Sequence, residues 1–273
     1  MQSKTLKWVN TVSYLATVAV NGLADLLRLG GVKTGEVTDK YPNLFTPAPI
    51  TFAIWGVIYL LLAVFVLYQW GIFDRGRYSD SIRERIGLWF AASSAFNIAW
   101  IFAWHYDAIG LSLVCMAGLL VTLIGVVTRL DGADGNFVSW LCARAGFEVY
   151  FGWIIAATIS NVSVWLTKIG WNGFGLTDPF WTVLILLIGA DIAAAVVLLK
   201  HGWLAGLTVI WAYAGVLIRH LSPAYYGGLY RSVIVAAIAA IAVIVCSIVL
   251  MLCHRKGGAD SAKEKRPQAD GGL

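Results

Sequence analysis

Tyr150-Phe-Gly-Trp153-Ile-Ile-Ala-Ala157-Thr-Ile-Ser-Asn161 decides the fold. It is apolar enough to lie in a membrane, yet Tyr150, Trp153, Ala157 and Asn161 recur at i, i+3, i+7 and i+11, one face of an α-helix. Two earlier stretches carry the same stripe: Phe52, Trp55 and Tyr59, then Asn97, Trp100 and Trp104. Three helices with Trp, Tyr and Asn on one face either pack on one another or wall a flat, apolar chamber, and the spacing alone is compatible with both.

The rest of the chain agrees with a membrane setting. Of 273 residues, 59% are hydrophobic and 13% charged, against roughly 25% charged in soluble domains. Mean hydropathy is +0.76. The 13 Trp and 11 Tyr exceed what interfacial belts require, so some line the interior. The net charge of +5, part of it in the polar tail, is not a nucleic-acid signature. Cys115, Cys142, Cys246 and Cys253 have no metal-like spacing and read as buried free thiols.

Apolar runs predict eight spans, near residues 8–28, 50–70, 87–104, 109–129, 139–165, 179–199, 203–219 and 229–253. With eight spans both termini share a side. That side collects 14 of the Lys and Arg residues, among them Lys4, Arg83, Arg144, Lys200 and Arg255, while Arg28, Lys33, Lys40, Lys168, Arg219 and Arg231 lie opposite. The positive-inside rule places both termini in the cytoplasm of a multi-pass cell-membrane protein.

The first connection, Leu29 to Pro49, is a long loop rich in Gly and Pro. Pro47 and Pro49 mark it as a lid over the chamber or as a surface connector, and Pro49 suits the first turn of the next helix. His105, Tyr106 and Asp107 read as a wet helix end. Asp191, near the middle of the sixth span, is an intramembrane acid, either functional or protonated and hydrogen-bonded. No metal spacing, nucleotide loop or catalytic triad emerges.

Three strings in order, Phe45-Thr-Pro47-Ala-Pro49-Ile-Thr-Phe52-Ala-Ile-Trp55-Gly-Val-Ile-Tyr59, Phe96-Asn97-Ile-Ala-Trp100 and the Tyr150 to Asn161 stretch, resemble the translocator protein family, the tryptophan-rich sensory proteins (TspO/MBR). The resemblance covers residues 8–166 and implies a five-helix bundle that often forms homodimers and binds porphyrins and sterols in a pocket open toward the first loop. It also implies, for Trp55 and Trp153, a catalytic part in the light-dependent porphyrin degradation of some bacterial members. The chain departs from the pattern at Val149, where the family has Pro. It departs again in Val164-Trp-Leu-Thr-Lys168, where Trp replaces the Tyr of the sterol motif.

The expected architecture is therefore an all-α membrane protein in three parts: a TspO-like five-helix domain at 1–166, a further three-span module at 167–253, and a disordered basic tail at 254–273. The expected ligand wall is Phe52, Trp55, Tyr59, Asn97, Trp100, Trp104, Tyr150, Trp153 and Ala157. The partners are the lipid bilayer and a porphyrin-like molecule such as protoporphyrin IX, as ligand or substrate, with no obligatory cofactor. Sensing or regulation through the tail is a third reading. A reading from another class is a transporter, or a permease accessory subunit, that uses Asp191.

Overall fold

The computed structural model describes residues 3–73, 78–133 and 136–264, with side chains as far as His254. Its secondary structure is helical throughout the described residues. The long elements are α1 (Ser3–Leu26), α2 (Pro49–Tyr68), α4 (Trp89–His105), α5 (Ile109–Leu130), α6 (Phe137–Lys168), α7 (Asp178–Lys200), α8 (Trp203–Leu221) and α9 (Arg231–Glu264); α3 (Ser79–Ile86) is a short helix before α4. Among the described residues, α2 and α5 to α9 are long and apolar enough to cross a membrane. Helices α3 and α4 are apolar enough for a seventh only when taken together, and they are bent by 55° where Gly87 adopts φ +55°, a conformation glycine enters without steric cost. Helix α1, the first of the eight expected spans, does not meet the same test of length and apolarity among the described residues. Its 24 residues include Lys4, Lys7, Asn10 and Asn21, which keep it the most polar of the long helices.

The two asparagines face inward. The Asn10 side-chain amide donates to Gln69 Oε1 at 3.1 Å, and Asn21 Nδ2 donates to Asn97 Oδ1 at 2.7 Å. In hydrocarbon the apolar face of a helix gains little by meeting another helix, so such bonds and close packing hold the bundle. On α5, Gly118 and Gly125 leave room for the rings of Phe96 and Trp89 from α4. Phe65, Phe90 and Phe147 interlock edge to face, with centroids 5.0–5.6 Å apart.

Helix α6 is the hub, packing on α2, α5 and α8. It begins with a π-helical turn at Trp140–Arg144. There the Arg144 guanidinium meets the fully buried Glu148 at 2.6 Å and also donates to the Lys200 carbonyl. The other Glu148 oxygen accepts from the Leu204 backbone N–H at 3.3 Å, tying α6 to the start of α8. Helix α9 packs outside α7 and α8. Cys246 and Cys253 lie exposed on it, so only Cys115 and Cys142 are buried as expected. The expected tail falls partly on α9, which runs to Glu264, and from residue 265 outside the described residues.

Candidate functional site: an aromatic cluster under the first loop

The three stripes converge. Trp55 on α2 stacks on Tyr59 at 5.6 Å and on Trp100 of α4 at 6.2 Å. It meets Tyr150 and Trp153 of α6 edge-on at 5.8 and 6.2 Å. Phe52 touches Trp153 at 5.6 Å, and Trp104 stacks on Trp100 at 5.7 Å. The prolines that lead into α2 set this up, because the Pro49–Ala53 3-10 turn starts the helix with its aromatic face toward α6.

Within the cluster the rings fill the space they enclose. The remaining cavity is about 30 Å³, bounded by Trp55, Trp100, Trp104, Trp153, Ala157 and Asn161, by Thr38, Phe45 and Pro47 of the first loop, and by Ala212, Tyr213 and Val216 of α8. Ligand clefts are commonly ~300–1,000 Å³, so a macrocycle enters only if rings part or the loop lifts.

Polar groups divide into two sets. Asn97 is fully used: it accepts from Asn21 and donates to the Tyr150 hydroxyl at 2.9 Å. Asn161 pairs with the Ser112 hydroxyl across α5 and α6. Both asparagines join helices. By contrast the indole N–H groups of Trp100 and Trp153 and the Tyr59 hydroxyl are buried without a hydrogen-bond partner among the described residues. A buried donor left unpaired costs about 1–3 kcal/mol, so the cluster presents unmet donors to anything that carries acceptors.

The loop above is held down from four helices. Thr34 Oγ1 lies 2.7 Å from Asp25 and 3.0 Å from His105 Nε2, while His105 Nδ1 donates to the Leu29 carbonyl at 2.7 Å. His105 is thus buried under the loop, not at a wet helix end. Trp104 donates to the Thr34 carbonyl. The Tyr41 hydroxyl reaches both Asp107 oxygens at 2.9 Å, and Lys168 at the end of α6 reaches Asp107 at 2.8 Å. Burial opposes the Asp107 charge, but the bonds from Lys168 and Tyr41 outweigh it and its pKa is lowered.

Helix α8 supplies the remaining fastenings, none of them anticipated from the sequence. Arg219 pairs with Asp39 at 3.1 Å, His220 Nε2 donates to the Leu44 carbonyl at 2.8 Å, and Tyr226, just beyond α8, donates to Asn43 O at 3.2 Å. The Ala48 N–H bonds to Gly215 O at 3.0 Å. At position 215 a Cβ would collide with Thr51 and Pro47, so glycine is what lets the loop settle there. Pro47 is buried at the cavity and Pro49 is exposed at the start of α2. The one available signal was the small-residue row Ala205, Val209, Ala212 and Val216 at helical spacing, which names a packing face and no chemistry.

Asp191 stands apart. It is exposed on the outer face of α7 and borders neither the aromatic cavity nor the groove between α6 and α7.

The family model described as TSPO-like protein matches residues 7–250. The chain belongs to that family. The match runs through the first five spans and on through α7, α8 and most of α9, so the aromatic cluster and its α8 wall fall in one stretch of TSPO-like sequence. Comparison with curated proteins and with solved structures gives no match.

Proposed function

We propose that this TSPO-like membrane protein binds a flat hydrophobic ligand, a tetrapyrrole such as protoporphyrin IX, between the aromatic faces of α2, α4 and α6. The observation that carries this reading is Trp55, placed among Tyr59, Trp100, Tyr150 and Trp153 directly beneath the loop. A macrocycle slipped between such rings replaces aromatic contact with aromatic contact, so opening the cluster is offset by stacking. Its ring nitrogens and carboxylates supply acceptors for the unmet donors of Trp100, Trp153 and Tyr59. Arg28, Lys33 and Lys40 in or beside the loop supply cations for carboxylates at its edge. The resemblance adds a light-dependent arm, in which Trp55 and Trp153 act on the bound porphyrin, or a sensing role read out elsewhere on the chain.

The test is a titration of the purified protein with protoporphyrin IX, in the dark and under illumination. Binding quenches Trp fluorescence and shifts the porphyrin absorbance; illumination then bleaches it if degradation occurs. Trp55→Phe and Trp153→Phe weaken both effects. Unchanged quenching in both variants removes the cluster as the binding site.

A further inference from the structure

A second, larger space lies outside the aromatic cluster. It is a groove of about 490 Å³ between the second half of α6, Thr158 to Thr167, and the first half of α7, Asp178 to Ile192, floored by Pro42–Phe45 of the first loop. Its walls are the side chains of Ile159, Val162, Leu166, Ile185, Ile188 and Ile192. The hydroxyls in it make no demand on an occupant. Thr158, Ser163, Thr167 and Thr182 each donate to a carbonyl four residues back on their own helix, at 2.6–3.0 Å. Ile188 and Ile192 are 47% and 44% exposed, so the groove reaches the outer surface of the bundle.

Its loop-side end has a different chemistry. Trp171 and Trp181 lie with centroids 4.9 Å apart, tilted by 58°, and both line the groove beside Asp178. Asp178 is exposed and has no cation paired with it among the described residues. The turn that sets this corner is strained: Phe174, 79% exposed, is held at φ +54° and packs edge-on against Trp171 at 5.4 Å. Left-handed backbone at an aromatic residue costs about 1–3 kcal/mol and is tolerated where the surroundings fix it. An anion among electron-rich ring faces favours an ammonium group. From Asp178 to Ile192 an α-helix rises about 21 Å, more than the ~15 Å depth of one leaflet's hydrocarbon.

We infer that this groove is a lipid site: it seats one acyl chain of a phospholipid from the leaflet on the first-loop side, with an ammonium headgroup at Asp178 between Trp171 and Trp181. A neutral, hydroxyl-satisfied wall suits hydrocarbon, and the acidic aromatic corner selects ethanolamine or choline headgroups over glycerol ones. The site shares no side chain with the aromatic cluster except Phe45.

The full chain, reconstituted in vesicles of equal phosphatidylethanolamine and phosphatidylglycerol and gently extracted, is weighed by native mass spectrometry. The expected result is one retained lipid per chain, enriched in phosphatidylethanolamine about threefold to tenfold over the vesicle ratio. Asp178→Asn returns the ratio to that of the vesicle, Asp178→Glu restores the enrichment, and Ser163→Phe, which fills the groove, removes the retained lipid. Asp178 is exposed, so its variants test the site even if Ser163→Phe fails to fold. No retained lipid in the wild type, retention in the vesicle ratio, or enrichment that survives Asp178→Asn would each overturn the inference. Porphyrin quenching by the Asp178 variants stays at the wild-type level.

Discussion

Gly152 and Ala205 bring α6 and α8 into backbone contact: a Cβ on Gly152 would stand 2.8 Å from the Ala205 Cα. Backbone cannot step aside as a flexible side chain can, so Gly152→Ala forces the helices apart. The expected destabilisation is about 1–3 kcal/mol, read as a lower midpoint for thermal unfolding in detergent. Because α8 also walls the aromatic cavity, Trp fluorescence of the folded variant shifts as well. Gly56→Ala, where a Cβ meets nothing within 4 Å, is the control expected to leave both unchanged.

The buried pair at the opposite end of α6 gives a second test. Glu148→Ala leaves the Arg144 guanidinium, 6% exposed, without its closest carboxylate. Removing one partner of a buried pair costs about 3–5 kcal/mol. Asp131, 3.9 Å from Arg144, offsets part of that cost, and adding Arg144→Met recovers much of the rest, because the buried guanidinium that lost its nearest carboxylate is gone. A double variant less stable than Glu148→Ala would place the weight on the Arg144 contact to Lys200 instead.

Acid should loosen the loop. Asp107, held by Tyr41 and Lys168, has a lowered pKa. A depressed carboxylate contributes stability that is complete above its unfolded value, about 3.9, and is lost as pH falls through the lowered value. Hydrogen exchange of loop amides, corrected for intrinsic rates, therefore accelerates below about pH 4. Asp107→Asn gives fast exchange at neutral pH and no further acceleration in acid.

Asn97 separates packing from ligand contact. Its amide is spent on Asn21 and Tyr150, so Asn97→Leu lowers stability by about 0.6–2 kcal/mol. In the folded fraction it leaves porphyrin quenching near the wild-type level. A variant of full stability that loses quenching would make Asn97 a ligand contact.

The sequence made the stripes legible because aromatic residues at a 3.6-residue period announce both a helix and a face. Trp55, Trp100 and Trp153 each fall on such a face, and the spacing left open whether the three faces meet around one cavity. It did not tell a filled cluster from an open chamber, since that depends on ring rotamers and helix separation. The α8 wall was hidden for another reason. Ala205, Ala212 and Gly215 act by being small, and smallness at a helix face reads the same whether it meets lipid, a partner or a binding site. Asp39–Arg219 and Leu44–His220 join loop and helix across much of the chain, where no local pattern reaches. Helix α3 and its 55° bend escaped because an amphipathic eight-residue helix carries too few apolar positions to register as part of a span.

The Asp39–Arg219 pair joins residues 180 apart. During synthesis the loop emerges early and its α8 partners late. At ~5–20 residues per second, roughly 9–36 s separate them. For that interval the loop is fastened only from α1 and the end of α4, through Asp25, Trp104, His105 and Asp107. On the proposed tetrapyrrole reading, a ligand that meets the chain in that interval faces a loop tied on one side only.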